Sequence, residues 1–243
     1  MTTRSSPADL PTLPSVALED QTGFRLVNSK FPPISLFEDV ADEAEFDALY
    51  ELQALTNPRI QTEVGQLNLL NREEIPFGIR GCSYAVAPFT HVNPDGSRFS
   101  NGQFGVLYLA DYMDTAIREV AYHQEQYWQR VPNLKYDRFL FRGLRARFTD
   151  QPIRNARVLP ANHPIYAPTD YSAARQLGLA LKKSGAAGIQ YHSVRQPGAT
   201  CWGLFSPRGI SSIVQTAHYE FIWDGAAIRS IGRVVLCDAV SDL

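Results

Sequence analysis

The sequence of 243 residues has few cysteines, little net charge and no long hydrophobic run. Its three cysteines are far apart, which argues against a disulfide framework or a paired-cysteine metal site and favours reduced thiols in the cytoplasm. A formal net charge of -2 argues against direct nucleic-acid binding, which needs a basic surface. No apolar run approaches membrane-spanning length, and the first residues do not have the basic-then-apolar layout of a secretory signal. These observations predict a cytoplasmic protein without a membrane partner.

Several catalytic motifs are also missing. The chain contains no Walker-type phosphate loop and no glycine-rich dinucleotide fingerprint. Ser193 does not have the flanking glycines of a serine-hydrolase elbow. The five histidines do not have zinc-ligand spacing, so we expect no metal. The chain consists of 44% hydrophobic and 20% charged residues, which is the composition of an ordinary globular protein.

The pattern of apolar residues predicts one mixed α and β domain over residues 21–243, preceded by a proline-bearing N-terminal arm at residues 1–20. The apolar run 104–110 predicts a buried strand, and the helical spacing after it predicts a helix that Asp111 or Asp114 caps. The other predicted elements are a hairpin around Asp224-Gly225, helices at 41–56 and 171–184, and strands at 24–27, 83–87, 139–148, 188–193 and 199–205.

Polar side chains around the central strand are candidates for a site, and each has an ordinary alternative. Arg98 precedes the strand and suits a surface ion pair equally well. Tyr108 on the strand suits a core position, and Glu119 on the helix suits a solvated face or a pair with His123 four residues later. Ser193 suits a turn whose hydroxyl bonds its own backbone. By themselves the residues indicate a mixed domain with a candidate anion site.

Taken together and in order, three segments resemble the RES domain, the toxin half of bacterial RES–Xre toxin–antitoxin systems. The segments are Gly96-Ser-Arg-Phe99, Val106 to His123, and Gly188 to Arg195, and they match the arginine, glutamate and serine from which the family takes its name. The core motifs lie between residues 80 and 208. The resemblance implies an α+β single domain similar to ADP-ribosyltransferase toxins, with two small packed β-sheets flanked by helices and NAD+ in a cleft between them.

The resemblance also implies a function. Members consume NAD+ by phosphorolysis or hydrolysis of the nicotinamide–ribose bond, with inorganic phosphate as the co-substrate in the first case and no metal in either. Members of the ParT type transfer ADP-ribose to a protein, so mono-ADP-ribosylation of a protein acceptor is the alternative, and a non-catalytic binding module is the second alternative. The implied partner is a helical Xre-type antitoxin that blocks the active site, so we expect a hetero-oligomer.

Site roles follow from matching this chemistry to residue types. Glu119, Arg98 and Ser193 are the predicted catalytic residues: a carboxylate stabilises positive charge on the ribose, and a guanidinium binds the diphosphate bidentately. Ser193 would hydrogen-bond a phosphate or position the acceptor. The remaining predictions are ring stacking on the nicotinamide by Phe99 or Tyr108, phosphate or diphosphate binding by Arg195, and either a site role or a structural role for Arg25.

Overall fold

The computed structural model describes residues 12–30, 44, 45, 47, 65–149 and 152–235. The strands in these ranges are β1 (Ser15–Val16), β2 (Gln21–Asn28), β3 (Leu107–Ala110), β4 (Asp137–Phe148), β5 (Ile153–Asn155), β6 (Gly188–His192), β7 (Thr200–Leu204), β8 (Ile210–Trp223) and β9 (Ile228–Val234). The helices that flank them are α1 (Cys82–Thr90), α2 (Met113–Trp128) and α3 (Ser172–Lys183). The α+β class predicted from the sequence is therefore confirmed.

The nine strands form one sheet in the order β1-β5-β6-β7-β3-β2-β4-β8-β9. The prediction of two separate small sheets is wrong in this respect, because β2 and β3 pair and join the halves. That pairing is a single antiparallel residue pair, Phe24 with Ala110, whereas β2 pairs with β4 along its whole length. Beyond the Phe24–Ala110 pair the two strands diverge. The sheet therefore has two halves that are joined at one point and open between β2 and β3.

Both faces of the sheet are covered. The helices α2 and α3 lie on one face: Trp128 of α2 packs on Phe141 and Phe221, and Leu177 of α3 lies in a cluster with Ile189. On the opposite face, the apolar residues of α1 pack against alternate residues of β3, β4 and β7, namely Leu107, Leu109, Leu144, Ala146, Phe148, Trp202 and Leu204. Since α2 covers one half of the sheet and α3 the other, the opening between β2 and β3 lies between these two helices.

Strand β4 changes its buried face along its length. Phe139 and Phe141 pack on the side of α2, whereas Leu144, Ala146 and Phe148 pack on the side of α1. Successive side chains of a strand point to opposite faces, so the buried face changes along this one strand. A register shift between β4 and β8 lies at the same place, between Arg142 and Leu144.

Other local predictions have mixed outcomes. The helix at 171–184 and the hairpin of β8 and β9 are confirmed, and the predicted helix at 41–56 lies largely outside the described residues. The strand predicted at 83–87 is wrong, because these residues belong to α1. Asp111 does not cap α2; it accepts hydrogen bonds from Thr115 Oγ1 at 2.9 Å and from Thr200 N at 2.7 Å. Of the predicted arm, residues 12–20 include β1, and Leu13 and Leu18 are buried.

Candidate active site

The opening between β2 and β3 forms a cleft of about 460 Å³, a volume typical of small-molecule sites. Its floor comes from the diverging strands, including Phe24, Leu26, Tyr108 and Ala110. Its other lining residues include Ser97 and Arg98 of the loop before β3, Glu119 and His123 of α2, Tyr171 before α3, Arg25 of β2, Tyr191 of β6 and Cys201 of β7. Thus Arg98, Tyr108 and Glu119, which the sequence analysis singled out, line one cavity.

Arg98 is held rigidly in the wall of the cleft. Its side chain is buried, with 7% exposure, and Nη1 donates to the carbonyl oxygens of Ile165 at 3.0 Å and Ala167 at 3.1 Å. Its guanidinium lies over the ring of Tyr171, 4.4 Å from the centroid, which is a cation–π contact. Its other terminal nitrogen, Nη2, is buried and has no hydrogen-bond partner. Arg98 therefore keeps an unused donor beside the cavity.

Arg25 is a second unpaired cation in the same cleft. Its Nη1 atom is also buried without a hydrogen-bond partner, and the described residues contain no ion pair to either arginine. Burial lowers the pKa of the Arg25 guanidinium to about 10, which leaves it charged at neutral pH. Arg25 is half-buried and Arg98 is buried, and each has one buried donor nitrogen without a partner. An unsatisfied buried donor is costly, and an anionic ligand would relieve that cost at both sites. The cleft therefore offers two unused cationic donors to which an anion could bind.

Tyr108 organises the loop that carries Arg98. Its hydroxyl oxygen lies 2.8 Å from Ser97 Oγ and accepts a hydrogen bond from the Phe99 backbone N at 2.9 Å. Burial raises the pKa of Tyr108 to about 12. Phe99 is fully buried and packs edge to face on Tyr191. The structure therefore places the Phe99 ring in the core and not in the lining of the cleft, in contrast to the predicted stacking on a ligand.

Glu119 and Ser193 are directly linked, although 74 residues separate them. Ser193 Oγ donates to Glu119 Oε1 at 2.6 Å and accepts from the backbone N of Gln196 at 3.0 Å and of Arg195 at 3.2 Å. The hydroxyl is thus fully occupied, and Ser193 itself is buried, with 7% exposure. The turn after β6 uses Ser193 to hold the Glu119 carboxylate in place. In this structure Ser193 does not line the cleft, and its hydroxyl is not free for the predicted contact with a phosphate or with an acceptor.

The arginine, glutamate and serine segments all lie within the match to the RES domain family model, which covers residues 75–224. The chain belongs to the RES domain family. It is 30% identical over 215 residues to the uncharacterised protein y4oC of Sinorhizobium fredii (strain NBRC 101917 / NGR234), an alignment that covers 88% of this chain and 87% of that protein. It also aligns with the crystal structure of the M. tuberculosis MbcT–MbcA toxin–antitoxin complex, with a TM-score of 0.44 and 10% identity over 83% of this chain and 86% of that one.

Arg195 of this RES domain has a structural position. Its guanidinium lies over the ring of Tyr122 on α2, 3.3 Å from the centroid, and Nη2 donates to the Pro168 carbonyl oxygen. Its Nε atom is buried without a partner, but Arg195 is not among the residues that line the cleft. Arg195 ties α2 to the segment that leads to Tyr171. The prediction that it binds phosphate in the cleft is therefore not supported by its placement.

Two aromatic residues of the cleft were not identified from the sequence. Tyr171 precedes α3 and contacts both Arg98 and His123, and Tyr191 lies on β6 beside Phe99. Neither is part of a recognisable pattern, since tyrosines next to a helix or on a buried strand are common in cores. Their place in the wall depends on the pairing of β6 with β7 and on the position of α3.

The described residues include no group of three histidine, cysteine, aspartate or glutamate side chains that could hold a metal ion. Nor does this part of the chain contain a helix long and apolar enough to cross a membrane.

Proposed function

We propose that this RES domain is the toxin enzyme of a toxin–antitoxin system and cleaves the nicotinamide–ribose bond of NAD+ in the cleft. The observation that supports the proposal is the combination, in one cavity, of a carboxylate held by Ser193 and two arginines that each have a buried, unused donor nitrogen. A dinucleotide presents the complementary groups: a diphosphate for the cations and a ribose carbon that becomes positive as nicotinamide leaves.

Each group then has one role. Arg98 and Arg25 bind the diphosphate through Nη2 and Nη1, the atoms that have no protein partner. The Tyr171 ring, which replaces Phe99 in this role, offers an aromatic surface for the nicotinamide. Glu119 faces the ribose and stabilises its oxocarbenium character in the transition state. Nicotinamide departs as a neutral molecule, and either water or inorganic phosphate attacks the same carbon.

The family resemblance supplies the rest of the proposal. We propose a helical antitoxin of the Xre type that covers the mouth of the cleft, and a cytoplasmic location where NAD+ is the substrate. A cell that makes an enzyme able to exhaust NAD+ would need this antitoxin to block the enzyme until the toxin is released.

The test is to incubate the purified protein with NAD+ in phosphate buffer and in phosphate-free buffer and to measure nicotinamide release. Glu119→Gln should lower kcat by about 10²- to 10³-fold, as expected when one preorganised electrostatic contact to a transition state is lost. Arg25→Met should raise KM for NAD+, because it removes one cation from the diphosphate site. Arg118→Gln is the matched control, since Arg118 is exposed on α2 next to Glu119.

The outcomes separate the alternatives. Absence of nicotinamide release by the folded wild type in both buffers would contradict NAD+ cleavage. Transfer of label from NAD+ to a protein in a cell lysate, without free ADP-ribose or its phosphate, would instead identify a mono-ADP-ribosyltransferase. Wild-type activity of Glu119→Gln would remove the carboxylate from the mechanism.

A further inference from the structure

His123 is a polar side chain of the cleft to which the proposed cleavage of NAD+ assigns no role. His123 lies one helical turn after Glu119 on α2 and lines the same cavity. The residue is exposed, and its ring contacts the rings of Tyr122, at 5.4 Å between centroids, and Tyr171, at 6.3 Å. Within the described part of the chain its nitrogens have no hydrogen bond to another residue, so they are available to a molecule in the cleft.

The attacking group determines whether such a histidine is needed. When phosphate dianion attacks the ribose carbon, the nucleophile already carries negative charge and does not have to lose a proton. When water attacks, an O–C bond forms, the C–N bond to nicotinamide breaks with its electron pair, and the water must release one proton. A neutral imidazole within reach of the water can accept that proton.

We propose that His123 is the general base that activates water in this cleft, an inference that rests on the proposed cleavage of NAD+. In this step the imidazole takes the proton from the attacking water and becomes an imidazolium, which later returns the proton to solvent. The products are ADP-ribose, nicotinamide and one proton, so the step balances without an oxidant or a metal. His123 is then required for hydrolysis of NAD+ but not for its phosphorolysis.

The surroundings of His123 are consistent with a neutral ring. Partial desolvation by the walls of the cleft lowers the pKa of His123, and the positive charges of Arg195 and Arg98 act in the same direction. Glu119 opposes this shift, and Tyr122 and Tyr171 are the other titratable groups that face the ring. Since the pKa lies below the ordinary histidine value of about 6.5, the ring is neutral at pH 7 and able to accept a proton.

The experiment compares wild type, His123→Gln and His123→Ala with NAD+ in both buffers, and quantifies ADP-ribose and ADP-ribose phosphate separately. In phosphate-free buffer His123→Gln should lower kcat for ADP-ribose formation by about 10²-fold or more, the usual contribution of a general base. In phosphate buffer its rate of ADP-ribose phosphate formation should stay close to that of wild type. Added imidazole should restore hydrolysis to His123→Ala, and the acidic limb of the wild-type pH–rate profile should disappear in His123→Gln.

Controls and contrary results distinguish this proposal from the one on which it rests. His218→Gln, a histidine substitution on β8 outside the cleft, should behave as wild type, and an equal thermal midpoint verifies that His123→Gln is folded. Equal losses with water and phosphate, or hydrolysis that survives His123→Gln, would overturn the role of His123 while leaving NAD+ cleavage intact. A wild type that forms ADP-ribose phosphate but never ADP-ribose would do the same, and a wild type inactive in both buffers would overturn both proposals.

Discussion

Replacement of Ser193 by alanine is the sharpest test of how the site is held together. The substitution removes the 2.6 Å hydrogen bond to Glu119 Oε1 and leaves the carboxylate free to rotate on α2. A hydrogen bond to a charged group contributes about 1.5 to 3 kcal/mol. If that energy keeps the carboxylate in its reactive position, kcat should fall by roughly 10- to 150-fold, at about 1.4 kcal/mol per tenfold in rate.

The same substitution should leave KM for NAD+ unchanged, because Ser193 Oγ is fully occupied by protein partners and does not line the cleft. Stability should fall by about 1.5 to 3 kcal/mol, the contribution of the lost hydrogen bond to Glu119, while water can replace the acceptor that the backbone N–H groups of Arg195 and Gln196 lose at this turn. Steady-state kinetics and urea unfolding measure the two effects.

Two further variants complete this test. Ser193→Thr keeps a hydroxyl and should recover most of the activity, whereas Ser193→Ala made in a Glu119→Gln background should lose little more, because the serine acts only through the glutamate. An unchanged kcat in Ser193→Ala, or a rise in KM alone, would refute the reasoning and return Ser193 to the ligand-binding role predicted from sequence.

Two other predictions concern stability. Because burial raises the pKa of Tyr108 to about 12, the unfolded chain ionises first, at about 10. The contribution of Tyr108 to the free energy of unfolding is therefore complete below pH 10 and declines between pH 10 and 12 by up to about 1.4 kcal/mol per pH unit. In chemical unfolding, Tyr108→Phe should lose stability less steeply than wild type over this pH range. An identical slope for the two proteins would contradict this. Gly178→Ala on α3 should destabilise although alanine normally favours helices by about 1 kcal/mol, since the new Cβ would lie 2.0 Å from the Phe99 carbonyl oxygen. Lys183→Ala is the exposed control, and an increased thermal midpoint for Gly178→Ala would disprove the close contact.

Local sequence patterns predicted the helices and strands that bury only one face or whose ends carry recognisable residues. The helix α2 has an apolar stripe, and Gly185 follows the end of α3, so both helices were predicted, α3 close to its observed bounds. The helix α1 was mistaken for a strand because most of its residues are buried and it presents no amphipathic period. Phe99 was a candidate for stacking on the ligand because it is aromatic and belongs to the arginine segment, but residue type and segment do not determine which side chain faces a cavity.

The sequence by itself determined which side chains with site chemistry are available: Arg98 beside a buried strand, Tyr108 on it, Glu119 on the next helix and Ser193 after a distant strand. These are local facts, since they depend on residue type and on the spacing of a single element. Only the tertiary structure decided that Ser193 hydrogen-bonds Glu119 and that Arg25 lies in the same cleft as Arg98 without an ion-pair partner. It also decided that Arg195 and Phe99 do not line the cleft. The physical reason is that the cleft exists where β2 and β3 separate after one residue pair, and this divergence depends on contacts between segments far apart in the chain.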